Sequence, residues 1–272
     1  MPRMRGLHFW LKRGLVYVAG VSLYLSVGCG TQQSPRTPSA TVSSHKTIVG
    51  NERIEHFRRA KRHVYRLFKD RLRTFYCGCS YVGKAIDSKR CSFKSEMHKK
   101  RVNRTEIEHV VPVHAFGQSF SEWRNGHKRC VDKKGRRFKG RRCASLISQD
   151  FNRMSSDLYN LRPTVGAVNA LRSNFRMGLI EGEARQFGAC DMEIEDRVFE
   201  PRPSIRGDIA RIYFYMDAAY PGRGIVGKKQ LKLLKVWHRG DPVSEEERAL
   251  TLKIKALQGN DNPFVTLERQ PR

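Results

Sequence analysis

The sequence is short of acidic residues and contains no internal repeat. Its 26 Asp and Glu stand against 53 Lys and Arg, which gives a formal charge of +27. Such an excess repels itself unless it meets anions, so it suggests nucleic acid, an anionic membrane or an acidic polymer as partner. The alternative is a basic surface that only keeps the protein soluble. The 272 residues, with no repeat, suit one large domain or two small ones.

The sequence also lacks an apolar run as long as a membrane span. The run Leu15–Cys29 is shorter than the roughly 20 residues that cross a bilayer. It follows a basic stretch and ends in small residues, which is typical of an export signal. The ending SVGC is similar to a bacterial lipobox, which would attach lipid at Cys29, although Ser26 stands where Leu is usual. We predict a signal peptide over residues 1–29; simple cleavage and a retained membrane anchor are the alternatives to lipidation.

Cysteine is scarce, with seven residues in all and six once Cys29 is set aside. The six are Cys77, Cys79, Cys91, Cys130, Cys143 and Cys190. They can form three disulfides in an oxidising compartment, in agreement with export to the periplasm or the medium. The alternative is a structural zinc site at the first three, but C-x-C spacing is atypical of zinc and a fourth nearby ligand is not evident. We therefore predict disulfides.

The chain after the signal divides into a linker and one domain. Residues 30–50 are rich in Ser, Thr, Pro and Gln, which predicts a flexible linker. Residues 51–268 then show helical stripes, one segment of strand character over residues 106–113, and a basic loop over residues 124–142. Asp157 can cap a helical turn. The predicted helices cover residues 51–75, 164–175, 205–220, 228–239 and 245–257, and a docked tail follows. The fold class is therefore α+β, a mostly helical single domain with a small β element.

The segment TEIEHVVPVHAFG contains a pair of residues suited to phosphodiester hydrolysis, Glu108 and His109. A neutral imidazole can take a proton from water near pH 7, and a carboxylate is a preferred ligand of a hard divalent cation. Neighbours on a regular strand point to opposite faces, so both can reach one site only at a strand end, a bulge or a sharp twist. We predict that the chain leaves β structure at or just after His109. The alternative is a hydrogen-bonded structural histidine.

The segment DLYNLRPTVGAVNALRSN adds Asn160, Asn169, Arg172 and Asn174. Asn has poor helix propensity because its side chain competes for backbone hydrogen bonds. Caps and turns explain Asn160 and Asn174 better than they explain Asn169, which lies inside a predicted helix. An Asn on a helix offers a neutral oxygen to a cation at a fixed position, so Asn169 is a candidate metal ligand.

Taken in order, the motifs resemble the bacterial endonuclease I family. They are IEHVVPVHAFG, Trp123, Cys130, KGRRFKGRRC, DLYNLRPTVGAVNALRSN, IRGDIARIYFYM and GNDNPFV, and they cover about residues 55–268. Members of the family are secreted or periplasmic non-specific nucleases of the ββα-metal (His-Me finger) superfamily. The resemblance implies a His-Me finger core and an endonuclease that cleaves double- and single-stranded DNA, and RNA as well, to 5′-phosphate ends. A monomer is expected.

The resemblance also implies residue roles. His109 would be the general base, and Glu108 and Asn169 would hold Mg²⁺, or Mn²⁺ or Ca²⁺ in its place. The phosphate contact would be Arg141 or Arg142, with Arg141 preferred. The supporting residues would be Asn160, Glu106 and Arg172. The basic loop would bind nucleic acid through Lys133, Lys134, Arg136, Arg137, Lys139 and Arg142.

The chain departs from the family pattern at Ala167, where Glu is usual, and at Ile107, where an aromatic residue is usual; neither changes a predicted ligand. Among the disulfide pairings, Cys130–Cys143 is favoured because it would hold the phosphate arginine. A metal-bound Glu108 and a neutral His109 predict lost activity below about pH 6, near the pKa of imidazole. The alternative function is an exported protein that binds nucleic acid without cleaving it.

Overall fold

The computed structural model describes residues 47–182 and 184–271. The predicted signal peptide, with Cys29, and residues 30–46 of the predicted linker lie outside this part of the chain. Residues 47–50 belong to the folded unit, because Gly50 is buried and the Asn260 side chain donates to the Val49 carbonyl at 2.8 Å. The linker boundary predicted at residue 50 therefore falls inside the fold.

The fold is α+β, as predicted, and helices make up more of it than strands. The helices are α1 (Phe57–Leu67), α2 (Ser88–Cys91), α3 (Val113–Gly117), α4 (Ser121–Arg124), α5 (Arg141–Ile147), α6 (Gln149–Ser155), α7 (Gly166–Arg172), α8 (Arg206–Ala219), α9 (Lys228–Gly240), α10 (Glu245–Gln258) and α11 (Pro263–Thr266). The strands are β1 (Tyr81–Val82), β2 (Ala85–Ile86), β3 (Thr105–His109), β4 (Leu161–Val165), β5 (Arg176–Met177), β6 (Met192–Glu195) and β7 (Val198–Pro201). Among the described residues, none of these helices has the length and apolar character of a membrane span.

The strands form three small sheets, and one of them carries the predicted site. β1 pairs with β2, β3 pairs with β4, and β7 lies between β5 and β6. In the antiparallel β3–β4 pair, Glu108 lies opposite Arg162 and His109 opposite Leu161. Helix α7 follows β4 directly and packs on both strands. This strand–strand–helix unit is the ββα arrangement that the resemblance implies.

Helix α7 is shorter than predicted and begins at Gly166, not at Thr164. Pro163 and Thr164 lie in β4, opposite Ile107 and Glu106. Proline cannot donate to a ladder, but each strand of a two-stranded sheet has a free edge where it is tolerated. The Pro163 carbonyl still accepts a hydrogen bond from the Phe75 N–H at 2.8 Å. Pairing with a strand about fifty residues away in sequence thus outweighs the preference of proline for the first turn of a helix.

Helix α1 is also shorter than the predicted segment from residue 51 to residue 75. The Oδ1 atom of Asn51 accepts from the Ile54 N–H at 2.9 Å and fixes a non-helical turn before the helix. After α1, the Leu72 carbonyl accepts from the Tyr81 N–H at 2.9 Å. The inward stripe is Ala60, Val64 and Leu67, and the outward face is basic.

The predicted C-terminal helices are confirmed as α8, α9 and α10, each within a residue of the expected bounds. Helix α8 is buried on nearly all sides and packs against α9. The predicted docked tail is α11, in which Phe264 and Val265 are buried.

Asp157 is fully buried, and its carboxylate accepts from the Tyr159 N–H at 3.0 Å, as predicted for a cap. Its other oxygen accepts from the hydroxyls of Tyr215 and Tyr220, both at 2.7 Å.

Three disulfides confirm the prediction for the six cysteines. They are Cys77–Cys190, Cys79–Cys91 and Cys130–Cys143. The favoured Cys130–Cys143 pair is among them and closes the basic loop. A zinc site at Cys77, Cys79 and Cys91 is excluded, because all three sulfur atoms are bonded to other sulfur atoms.

Candidate active site

The buried side chain of Asn160 helps to fix the end of β3. Its Oδ1 accepts from the Val111 N–H at 2.7 Å, and its Nδ2 donates to the Val111 carbonyl at 2.9 Å. The Asn160 carbonyl accepts from the Val110 N–H at 3.0 Å. The amide side chain thus replaces the strand partner that Val111 would need for its backbone groups. As predicted, the chain leaves regular β structure directly after His109.

His109 is held as a neutral imidazole with one nitrogen free. Its Nε2 lies 2.9 Å from the Ser155 carbonyl, which can only accept, so Nε2 carries the proton and Nδ1 carries the lone pair. The ring stacks on Phe57 with 4.8 Å between centroids. Burial, reinforced by the nearby charge of Arg141, lowers the pKa of His109 to about 3. The ring is therefore uncharged well below pH 6, and the activity limit expected there from a free imidazole does not follow from this residue.

Glu108 is a buried carboxylate, and Arg172 is its cationic neighbour among the described residues. Its Oε1 accepts from the Tyr76 hydroxyl at 3.2 Å and lies 3.5 Å from Nε of Arg172. Burial raises the pKa of Glu108 to about 7, and the charge of Arg172 offsets only part of that rise. Arg172 also donates to the carbonyls of His109 and Val110, so it helps to hold the end of β3 in place.

Glu106 lies two residues before Glu108 on β3 and therefore points to the same face. Its Oε2 accepts from Nδ2 of Asn169 on α7 at 2.8 Å. Arg101 and Arg104 each donate through Nε to Oε1 of Glu106 at 3.0 Å. Burial alone would raise the pKa of Glu106, but these hydrogen bonds from Arg101, Asn169 and Arg104 outweigh it and hold that pKa below its usual value.

Arg141 is the first residue of α5 and reaches the site from the basic loop. Its guanidinium lies 5.6 Å from the centroid of the Phe57 ring, which stacks on His109. Arg141 is exposed, and no carboxylate pairs with it in the described part of the chain. Arg142 lies 4.1 Å over the ring of Phe138 instead. The arginine preferred from the sequence is therefore the one beside the histidine.

Two adjacent openings meet at Arg141. One, of about 370 Å³, is lined by Glu108, His109, Arg141 and Asn174, among others. The second is a groove lined by Glu106, Asn169, Arg141 and the outward face of α1. Between the described residues, no hydrogen bond joins Glu108 to Asn169, and no group of three or more His, Cys, Asp or Glu side chains is arranged to hold a metal ion.

The groove continues into a broad basic surface. From α1 and the neighbouring strands it receives Arg58, Lys61, Arg62, Lys84 and Arg104. In the 124–142 loop the predicted nucleic-acid-binding residues Lys133, Lys134, Arg136, Arg137, Lys139 and Arg142 are all exposed. Arg136 differs from the others because Asp132 pairs with it at 2.9 Å.

Sequence reasoning missed three contributors to the site. Tyr76 supplies the hydroxyl to Glu108, Ser155 supplies the carbonyl to His109, and Phe57 supplies the stacking ring. Each reaches the site from more than 30 residues away, and a lone Tyr, Ser or Phe carries no local pattern that would mark it. Only the order of motifs along the chain could have drawn attention to their segments.

Comparison with known proteins gives a consistent result. The family model described as Endonuclease I matches residues 58–268. An extracellular deoxyribonuclease of Aeromonas hydrophila is 38% identical over 221 residues, which are 79% of this chain and 90% of that protein. A periplasmic deoxyribonuclease of the same organism is 35% identical, covering 82% of this chain and 91% of that protein. Endonuclease-1 of Buchnera aphidicola subsp. Acyrthosiphon pisum is 32% identical, covering 82% and 85%.

Proposed function

The chain belongs to the endonuclease I family, and from that premise we propose that it hydrolyses phosphodiester bonds with His109 as general base and one divalent cation at Glu108 and Asn169. Membership makes the chain an endonuclease. Its three disulfides agree with export, because such bonds persist in oxidising compartments. The proposal depends mainly on one observation: the hydrogen bond from His109 to the Ser155 carbonyl leaves Nδ1 as a free base beside an exposed arginine.

The residues fit a hard divalent cation. Glu108 supplies a carboxylate and Asn169 an amide oxygen, the donor types that Mg²⁺, Mn²⁺ and Ca²⁺ prefer. The Nδ2 atom of Asn169 is already used by Glu106, and Oδ1 accepts no hydrogen bond from any described residue. A buried carboxylate whose cationic neighbour, Arg172, is 3.5 Å away is undercompensated, which favours an added positive charge. The cation supplies positive charge where the phosphate becomes more anionic in the transition state.

His109 and Arg141 have the two remaining roles, which are proton acceptance and contact with the phosphate. Nδ1 of His109 accepts a proton from the water that attacks phosphorus, and the Ser155 carbonyl keeps the ring in the tautomer that allows this. The guanidinium of Arg141 donates to a non-bridging phosphate oxygen, a contact that strengthens as charge builds on that oxygen. Attack by water on phosphorus with departure of the 3′-oxygen leaves 5′-phosphate ends.

Three side chains have a positioning role, because they hold the proposed base and metal ligands in place. They are those of Arg172, Asn160 and Glu106. Arg172 and Asn160 fix the backbone on both sides of Val110, so the imidazole and the carboxylate can serve one site although they are neighbours in sequence. Glu106 orients the amide of Asn169. None of the three needs to touch the substrate.

The substrate is nucleic acid without a preferred sequence. The basic groove and the 124–142 loop offer guanidinium and ammonium groups to phosphates, which carry no sequence information. Both DNA and RNA present such phosphates, so we propose that double- and single-stranded DNA are cleaved and that RNA is cleaved as well. We further propose that the enzyme acts as a monomer in the periplasm or the medium and that lipid at Cys29 anchors it, which mass spectrometry of the mature N-terminus would test.

Plasmid cleavage tests the proposal. The wild-type chain should nick and linearise plasmid DNA with Mg²⁺ and should not do so in EDTA. His109→Ala should lose about 10²- to 10⁴-fold in rate, the range typical of a general base, while its affinity for DNA in EDTA stays unchanged. A wild-type protein that shifts plasmid on a gel but leaves it intact with Mg²⁺ would instead be a binding protein without nuclease activity.

A further inference from the structure

Helix α9 carries a straight line of basic side chains. Lys228, Lys232, Lys235 and Arg239 follow one another at intervals of four, three and four residues, so they lie on one side of the helix. Three of them are exposed, and Lys235 is half-buried. The line extends over about 16 Å at 1.5 Å per residue. We name these four residues the α9 stripe.

The residues that the structure describes do not neutralise the positive charges of the α9 stripe. In the described part of the chain, none of the four forms an ion pair with a carboxylate, and α9 itself contains no Asp or Glu. Elsewhere the exposed lysines Lys253 and Lys255 do have acidic partners, Asp70 and Asp261. A line of uncompensated cations repels itself unless an anion of matching length lies along it.

Most apolar side chains of α9 pack into the core of the protein. Leu234 and Trp237 are buried, and Leu231 and Leu233 pack against the core. Val236 is the one large apolar side chain of α9 that is mostly exposed, at 57%. A helix that enters a lipid surface needs a free apolar face as well as a basic one. The composition of the exposed face therefore favours a purely phosphate-bearing partner such as nucleic acid.

The N-terminal half of α9 lies close to the active-site cleft. The Gln230 side chain donates to the Met177 carbonyl of β5 at 3.3 Å. Met177 is three residues after Asn174, which lines the cleft beside His109, and three residues of chain reach at most about 11 Å. The exposed Arg176 lies between them. Helix α9 thus lies on the Asn174 side of the cleft, with the α9 stripe on the face of the helix opposite to Gln230.

We propose that the α9 stripe is a second phosphate-binding surface, which binds duplex nucleic acid outside the cleft. The proposal rests on the nuclease function proposed above and adds a surface to it. Duplex DNA carries about one negative charge per 1.7 Å of axis, so a line of this length faces several phosphates. Contacts of this kind increase affinity without selecting a sequence.

The test is the salt dependence of duplex binding by Lys228→Gln/Lys232→Gln in the full chain. Binding of a fluorescent duplex is measured in EDTA, so that cleavage does not interfere. The logarithm of affinity falls as the logarithm of salt concentration rises, and each lost phosphate contact makes that slope shallower by about 0.9. The slope of the double variant should therefore be shallower by about 1.8. Lys253→Gln/Lys255→Gln is the matched control, because it removes the same charge from lysines that already have acidic partners. Gln has a helix propensity close to that of Lys, so both variants should fold.

Three results would overturn the proposal. If the salt slope of the α9 variant is unchanged, the stripe is only a solvated face. If the salt slope of the control variant changes by the same amount, the effect is one of net charge alone. An unchanged DNA slope with lost binding to vesicles of equal parts phosphatidylglycerol and phosphatidylcholine would assign the stripe to a membrane. Plasmid cleavage by the wild type with Mg²⁺ is measured in parallel, so failure of the nuclease function is distinguished from failure of this surface.

Discussion

The Nδ2 atom of Asn169 donates to the Oε2 atom of Glu106 at 2.8 Å. An amide side chain can be turned about so that its oxygen and nitrogen exchange places, and only its partners decide between the two orientations. An ionised carboxylate accepts and never donates, so Glu106 allows only the orientation in which Oδ1 of Asn169 points away from it. Arg101 and Arg104 keep that carboxylate ionised and in place.

Glu106→Gln should weaken metal binding, because the Gln amide can donate to Asn169 and permit the wrong orientation. Partners one step removed from a metal ligand typically contribute about 10- to 100-fold in affinity. The measurement is titration of Mn²⁺ by electron paramagnetic resonance, together with the Mg²⁺ concentration that gives half-maximal cleavage. Glu195→Gln, at an exposed position outside the site, is the control. Unchanged Mn²⁺ affinity in Glu106→Gln would contradict the orienting role.

Acid should inhibit the enzyme through Glu108. Burial raises its pKa to about 7, and only the ionised form can bind a cation, so activity should fall as pH drops below about 7. The midpoint should move to lower pH as Mg²⁺ is increased, because the cation competes with the proton for the same oxygens. His109, with a pKa of about 3, stays neutral over this range. A midpoint that is the same at every Mg²⁺ concentration would contradict this assignment.

Arg141→Lys should reduce kcat/KM by about 10- to 100-fold, since a hydrogen bond between charged groups contributes about 1.5–3 kcal/mol and Lys cannot donate bidentately. Arg142→Lys should change kcat/KM little, because Arg142 lies over Phe138 and away from His109. Steady-state cleavage of a short duplex measures both. Equal losses in the two variants would mean that the phosphate contact is shared.

Asp157→Asn should destabilise the fold by roughly 2–4 kcal/mol, because one oxygen that accepts hydrogen bonds becomes an NH₂ group deep in the core. The carboxylate of Asp157 accepts from Tyr215, Tyr220 and Gln258 at once. Tyr220→Phe removes a single one of these donors and should cost only about 1 kcal/mol. Urea unfolding measures both values. Similar costs for the two variants would show that the three contacts do not act together.

The candidate site residues Glu108, His109 and Asn169 lie in long motifs, which is why the sequence alone proposes them. Their positions in the fold, at a strand end and on a helix, are as expected. The start of α7 was misplaced because β4 forms only by pairing with a strand far away in sequence. The local preference of Pro163 for a helix start predicts a helix from Thr164, but pairing with β3 places both residues in β4. Phe57 and Tyr76 were missed for the same reason, since their roles depend on contacts over tens of residues.

The three disulfides have a consequence for an exported protein that meets proteases. The basic loop over residues 124–142 is long, largely exposed and rich in Lys and Arg, so it is a target for trypsin-like enzymes. A cut between residues 130 and 143 would release nothing, since Cys130–Cys143 joins the two new ends. Cys77–Cys190 spans 113 residues and encloses β3, the loop and α7. A nicked chain would therefore remain one covalent molecule, in which disulfides still join the fragment that contains His109 to the fragment that contains Arg141.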